Sequence, residues 1–181
     1  AIRMYQQLGF REDHCLDVWK KSASARSSRT WHYRYPSLYQ IRGRQFGDWR
    51  AQKEWLKLNY PPATRWYSAL EFGNLSPWAR LNPLNWVKLI ELSQYSLCVG
   101  DQLAAVLSFQ RTVLRSDNLY IAAPQTSAEN EQVGILLTYF LQENWTGKPL
   151  MVEYPTGRAV SGFESSGFTL ARTLLWMRVE I

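Results

Sequence analysis

The chain has 181 residues, 46% of them hydrophobic, and a mean hydropathy of −0.34; that length suits one well-buried domain with an appendage, and no apolar run approaches the ~20 residues of a membrane span. Its only cysteines and histidines, Cys15, Cys98, His14 and His32, form no disulfide framework, no CxxC pair and no metal-ligand spacing, so no metal site is expected and a reducing, cytoplasmic compartment fits best. The net charge of +6 is local, because Lys20, Lys21, Arg26, Arg29, Arg34, Arg42, Arg44, Arg50 and Lys53 stand against the single acid Asp48 in that stretch.

Residues 1–8 read as the end of a helix, with Ile2, Tyr5 and Leu8 on one face and Gly9 placed to stop it. HCLDVW, 14–19, alternates weakly and reads as a strand. KKSASARSSRT, 20–30, has no apolar period and reads as a linker. A strand is expected around Leu38–Arg42. Asp48 then caps a helix that carries Ala51, Trp55 and Leu58 at helical spacing and ends at Pro61-Pro62. Asn82-Pro83 opens a short helix, LNWVKLIEL. YSLCV and LAAVLSFQRTV flank the turn pair Gly100-Asp101, and LYIAA, 119–123, is a further strand. Residues 130–145 place Val133, Leu136, Leu137, Phe140 and Leu141 on one helical face. LMVEY, 150–154, is a short strand of buried type, Arg158–Ser166 a helix and Thr169–Glu180 the last strand. The order gives an α/β fold: a mixed, mostly antiparallel sheet flanked by helices, parallel where helices cross over.

AIRMYQQLGFREDHCLDVW, 1–19, falls over AVSGFESSGFTLARTLLWM, 159–177. Ala1 lies over Ala159, Tyr5 over Phe163, Gly9 over Gly167, Phe10 over Phe168 and Leu16 over Leu174. A helix, Gly-Phe and a strand therefore occur twice, and only the second copy has a domain's length of chain before it.

The element order, and AIRMYQQLGF in particular, resemble the GCN5-related N-acetyltransferase (GNAT) superfamily, where a helix bearing A-x-x-x-Y-x-x-x-G-F leads into the last strand. Ala1, Tyr5, Gly9 and Phe10 match it, as do Ala159, Gly167 and Phe168. The resemblance implies a tandem arrangement: 1–19 as the tail of a preceding GNAT domain, 20–37 as a basic Ser/Arg-rich linker and 38–181 as a GNAT-like domain. It also implies acetyl-CoA as cofactor and direct attack of an amine on the thioester. Tyr5 stands at the general-acid position, and its counterpart Phe163 has no hydroxyl. Glu153 and Glu71 are candidate bases, and Thr156 stands where the family often has Asn. The cofactor loop maps to Ala123, Pro124, Gln125, Gln132, Val133 and Gly134. The family pattern there is R/Q-x-x-G-x-G/A. This chain lacks the Arg and the paired glycines, and Glu129 and Glu131 stand where a phosphate would approach, so weak or no activity is expected of this half.

Two other readings remain open. One is a non-catalytic GNAT-fold module that binds a ligand or partner in the old cofactor cleft. The other, nucleic-acid binding through RTWHYRYPSLYQIRGR, has Arg and aromatics interleaved but no RNA- or DNA-binding signature behind it. The expected partners are an amine acceptor of unidentified class and, for the apolar face of 1–19, either the main domain or a neighbouring chain, as in a homodimer; no membrane partner is expected.

Overall fold

The computed structural model describes residues 2–23, 38–60, 72–81, 92–112, 115–145 and 147–179. The expected helix at Asn82-Pro83, the candidate base Glu71 and most of the basic aromatic stretch lie outside them.

Helix α1, Ile2–Gln7, stops at Gly9, whose φ of +86° is the left-handed turn that glycine adopts without steric cost. The Phe10 N–H then bonds back to the Tyr5 carbonyl at 3.1 Å, and the chain enters β1, Arg11–Lys21. The same local structure recurs at the other end. Helix α4, Val160–Ser165, stops at Gly167 with φ of +77°, the Phe168 N–H bonds the Phe163 carbonyl at 3.0 Å, and β7, Thr169–Arg178, follows.

Between them lie β2 (Tyr39–Gly43), helix α2 (Trp49–Asn59), β3 (Leu92–Val99), β4 (Gln102–Gln110), β5 (Asp117–Ala122), helix α3 (Glu129–Glu143) and β6 (Leu150–Pro155). The seven strands form one sheet in the order β2-β3-β4-β5-β6-β1-β7. Its pairs are antiparallel except β5–β6, which the α3 crossover makes parallel. The crossover through α4 makes no second parallel pair, because β1 lies between β6 and β7. Lys20 and Lys21, expected in a linker, are the last residues of that strand. Flanked on both edges and covered on both faces, β1 buries Leu16, Asp17, Val18 and Trp19 in succession, which is why its sequence alternates so weakly.

The sheet separates two apolar layers. On one face α3 and α4 cover Leu107, Phe109, Ile121, Val152 and Trp19. Of the five residues that gave α3 its sequence period, Val133, Leu136, Leu137 and Phe140 are fully buried there, and Leu141 is half-buried against them. Each of the four is worth about 1.5–3 kcal/mol of transfer free energy. α3 and α4 approach closely at Gly134 and Gly162: a Cβ on Gly134 would sit 3.3 Å from the Gly162 Cα, and one on Gly162 would run into the Asn130 carbonyl oxygen. On the other face α2 brings Leu56 and Tyr60 against Leu16, Val106, Tyr120 and Ala122.

Asp48 precedes α2 as expected, but its side chain makes no cap bond to that helix. It turns instead to Arg42 on β2, whose guanidinium grips both oxygens at 2.7 and 2.9 Å, and accepts from the Gln45 N–H and the Ser96 hydroxyl, each at 2.8 Å. A charged bidentate partner outcompetes a neutral N–H. No described helix is long and apolar enough to cross a membrane.

Candidate functional site

Parallel strands β5 and β6 pair over only three positions, Asp117↔Leu150, Asn118↔Met151 and Leu119↔Val152. Beyond these they diverge. β5 keeps its pairing with β4 as far as Ala122, and β6 keeps its pairing with β1 as far as Pro155. The result is a wedge-shaped gap at the C-terminal ends of the two central strands, the place where open α/β sheets take ligands.

Side chains from three directions meet at this gap. Glu129, the first residue of α3, brings a buried carboxylate. Arg158, in the loop after β6, donates to it twice: from Nη2 to Oε1 at 2.6 Å and from Nε to Oε2 at 3.2 Å. The Tyr154 hydroxyl donates to the same Oε1 at 2.6 Å. Burial, and then the neighbouring carboxylate, push the Tyr154 phenol far above its ordinary pKa, so it stays a donor. The remaining Arg158 nitrogen, Nη1, donates to Asn59 Oδ1 at 2.9 Å. Asn59 and Tyr60, at the end of α2, each reach one of the diverging strands. Asn59 Nδ2 donates to the Ile121 carbonyl of β5 at 3.3 Å, and the Tyr60 hydroxyl to the Glu153 carbonyl of β6 at 2.6 Å. Arg158 thus joins α2 on one face of the sheet to α3 on the other, across the open end of the wedge.

The residues singled out from sequence are spread over several elements. Ala123 and Pro124 continue β5 into the loop, Ala123 buried and Pro124 half-buried, and Gln125 is exposed. Gln132, Val133 and Gly134 lie within α3, all buried, and Gly134 packs against Gly162. Glu153 is half-buried on β6. Tyr5 is on α1, exposed, with its ring edge-on to Phe10 at 5.6 Å. Thr156 donates to Asp17 Oδ1 at 3.2 Å and helps hold the loop after β6. Glu129 carried a sequence signal as a carboxylate at a helix start; Arg158, Tyr154, Asn59 and Tyr60 carried none, since their meeting depends on the sheet.

No protein-family model matches the sequence, and no curated protein matches it significantly. Solved structures do match. A GCN5-related N-acetyltransferase from Sphaerobacter thermophilus superposes with a TM-score of 0.55 at 12% identity, over 97% of this chain and 54% of its own. A second, from Anabaena variabilis, gives 0.52 at 13% identity, over 98% of this chain and 43% of its own. A conserved protein of unknown function from Staphylococcus epidermidis gives 0.53 at 9% identity, over 95% and 63%. This chain has the GCN5-related N-acetyltransferase fold. It spans between 43% and 63% of the length of those three chains.

On the GNAT fold the wedge and the start of α3 are the places to ask about acetyl-CoA. With Gly134 on the closing small position of R/Q-x-x-G-x-G/A, Glu129 stands at the opening position and Gln132 at the first glycine. A pyrophosphate needs donors at a helix start. Here the first turn of α3 carries two carboxylates, Glu129 and Glu131. The guanidinium beside them is already bonded to Glu129.

Proposed function

We propose that this chain is one unit of a GNAT-type N-acetyltransferase, which moves an acetyl group from acetyl-CoA to an amine, and that the wedge in this unit does not hold the thioester. The observation that carries the reading is the Glu129–Arg158 pair. It is buried, with side-chain exposures of 5% and 16%, and it spans the wedge at the helix start where the pyrophosphate would bind. A phosphate arriving there would meet Glu129, a like charge in a low-dielectric site, and could gain Arg158 only by stripping it from that carboxylate. The residues present do not fit the cofactor. Asn59 and Tyr60 further tie up the strands between which the pantetheine arm would pass.

In this reading the unit serves as scaffold, and Glu153 is a half-buried carboxylate on β6. Tyr5 acts as proton donor only in a cleft built around α1 itself.

Isothermal titration tests it. The 1–181 chain gives no saturable heat with acetyl-CoA up to roughly millimolar concentration. A polypeptide extended upstream of Ala1 by one further unit binds acetyl-CoA and releases its thiol in the presence of a primary amine. Micromolar binding by the 1–181 chain would overturn the closed wedge. An extended polypeptide that releases no thiol with any of a panel of amines would overturn the acetyltransferase reading.

A further inference from the structure

Helix α2 packs one side on the sheet and turns the other to solvent. Gln52, Leu56 and Asn59 are its buried residues, and Arg50, Lys53, Glu54, Lys57 and Leu58 are exposed. A 3-10 turn, Phe46–Asp48, leads straight into the helix. Phe46, Arg50, Lys53 and Lys57 therefore recur at intervals of four, three and four residues, which sets them on one stripe about 16 Å long.

The aromatic end of this stripe is a pair of rings. Phe46 is 60% exposed, and Trp78, from the 3-10 turn Pro77–Leu81, is 61% exposed. Their centroids lie 5.0 Å apart with the planes at 87°. A single exposed ring needs no explanation, but two in contact form a patch, and their edge-on arrangement leaves ring faces open to solvent. The rest of the stripe carries excess positive charge. Glu54 is the only acid on α2, and it pairs with Lys57 at 2.8 Å. The bond from Lys57, together with the charges of Lys57, Lys53 and Arg50, holds the Glu54 carboxyl below its ordinary pKa, so all three cations gather about the same carboxylate. Asp48, at the head of the helix, is already bonded to Arg42. Three cations against one carboxylate leave two positive charges on this side of the helix.

We propose that the solvent side of α2 binds single-stranded nucleic acid, with bases stacked on Phe46 and Trp78 and phosphates running past Arg50, Lys53 and Lys57. The chemistry selects that partner. Open ring faces accept any base, and cations on successive helical turns track a phosphate backbone. An acidic peptide would use the cations and leave the rings idle. A lipid surface asks for a broad apolar face, and Leu58 is the one large apolar side chain exposed on α2 itself. The stripe lies beyond the basic aromatic stretch 29–44. Asn59 and Tyr60, which reach the diverging strands, are buried, so the inference is independent of what the wedge holds.

Fluorescence anisotropy of a labelled single strand of about ten nucleotides tests it. The chain binds this probe at roughly micromolar strength in low salt. The logarithm of the binding constant falls against the logarithm of salt concentration with a slope of about −2, each of three cations contributing about 0.7. Arg50→Gln with Lys53→Gln brings the slope to about −0.7. Trp78→Ala weakens binding about tenfold and leaves the slope unchanged, because stacking releases no counterions. Phe46→Ala gives the same stacking readout should Trp78→Ala lower the melting temperature. Absence of binding in low salt overturns the proposal, and partition onto phosphatidylserine–phosphatidylcholine vesicles in its place would assign the surface to lipid. Equal affinity for polyglutamate, which offers charge without bases, overturns it too. So does binding that all four substitutions leave unchanged, which would place the nucleic acid on another basic stretch.

Discussion

Replacing Arg158 with Met keeps the length and apolar stem of the side chain and removes the charge that holds Glu129. The guanidinium makes three bonds, two to Glu129 and one to Asn59, at 2.6, 3.2 and 2.9 Å. In R158M the Glu129 carboxylate, 5% exposed, keeps the Tyr154 hydroxyl as its remaining donor in this cluster. Breaking one side of a buried pair costs about 3–5 kcal/mol, because the surviving charge stays desolvated. In a domain of this size each kcal/mol moves Tm by about 2–4 °C, so R158M melts roughly 6–20 °C lower. The double variant Glu129→Met, Arg158→Met buries no charge and recovers most of that loss. Urea unfolding of the parent, both single variants and the double variant gives the coupling energy directly. A cost for R158M below about 1 kcal/mol, or a double variant whose cost is the sum of the singles, refutes the claim that the wedge is closed by a desolvated ion pair.

Two further predictions concern the frame around the wedge. Burial tends to push the Asp48 carboxyl up, but the bonds from Arg42, the Gln45 N–H and the Ser96 hydroxyl outweigh it and hold its pKa below the ordinary value. Its contribution is therefore present above the unfolded-state pKa and lost as pH falls through the lower folded one. Asp48→Asn costs about 3 kcal/mol at pH 7, and the gap between variant and parent narrows below about pH 4, as read from urea midpoints at both pH values. Gly162→Ala places a methyl against the Asn130 carbonyl and 3.1 Å from the Gly134 nitrogen. It lowers stability by about 1–3 kcal/mol in thermal melts despite alanine's better helix propensity. Gly43→Ala, with nothing within 4 Å of the added Cβ, is its control and changes little.

Local pattern carried a good part of this fold. The apolar period of 130–145 named four residues of α3 that the structure buries completely, and the paired Gly-Phe turns recur with the same backbone bonds. What local pattern could not carry is the position of β1. A strand covered on both faces alternates only weakly, and the partners of β1 lie more than a hundred residues away in sequence. The candidate site divides in the same way. Glu129 is legible as a negative charge where the family pattern has Arg or Gln. That Arg158, Tyr154 and Asn59 converge on it follows only from the divergence of β5 and β6. Asp48 illustrates competition: its position spells a cap, and a stronger partner on β2 takes its side chain.

The wedge itself is a consequence of pairing on its outer sides. β4 holds β5 out to Ala122 and β1 holds β6 out to Pro155, while the two strands share only three positions with each other. Divergence withdraws the partners that parallel pairing would give to inward-facing backbone groups, and buried backbone groups are costly to leave unpaired. A bound ligand is one way to supply those partners. In this chain they come from the protein: Asn59 supplies a donor to Ile121, Tyr60 to Glu153, and Arg158 with Glu129 fills the mouth with a neutralised pair. Keeping the sheet divergent while meeting its needs internally leaves the wedge intact without requiring a bound ligand to stabilise it.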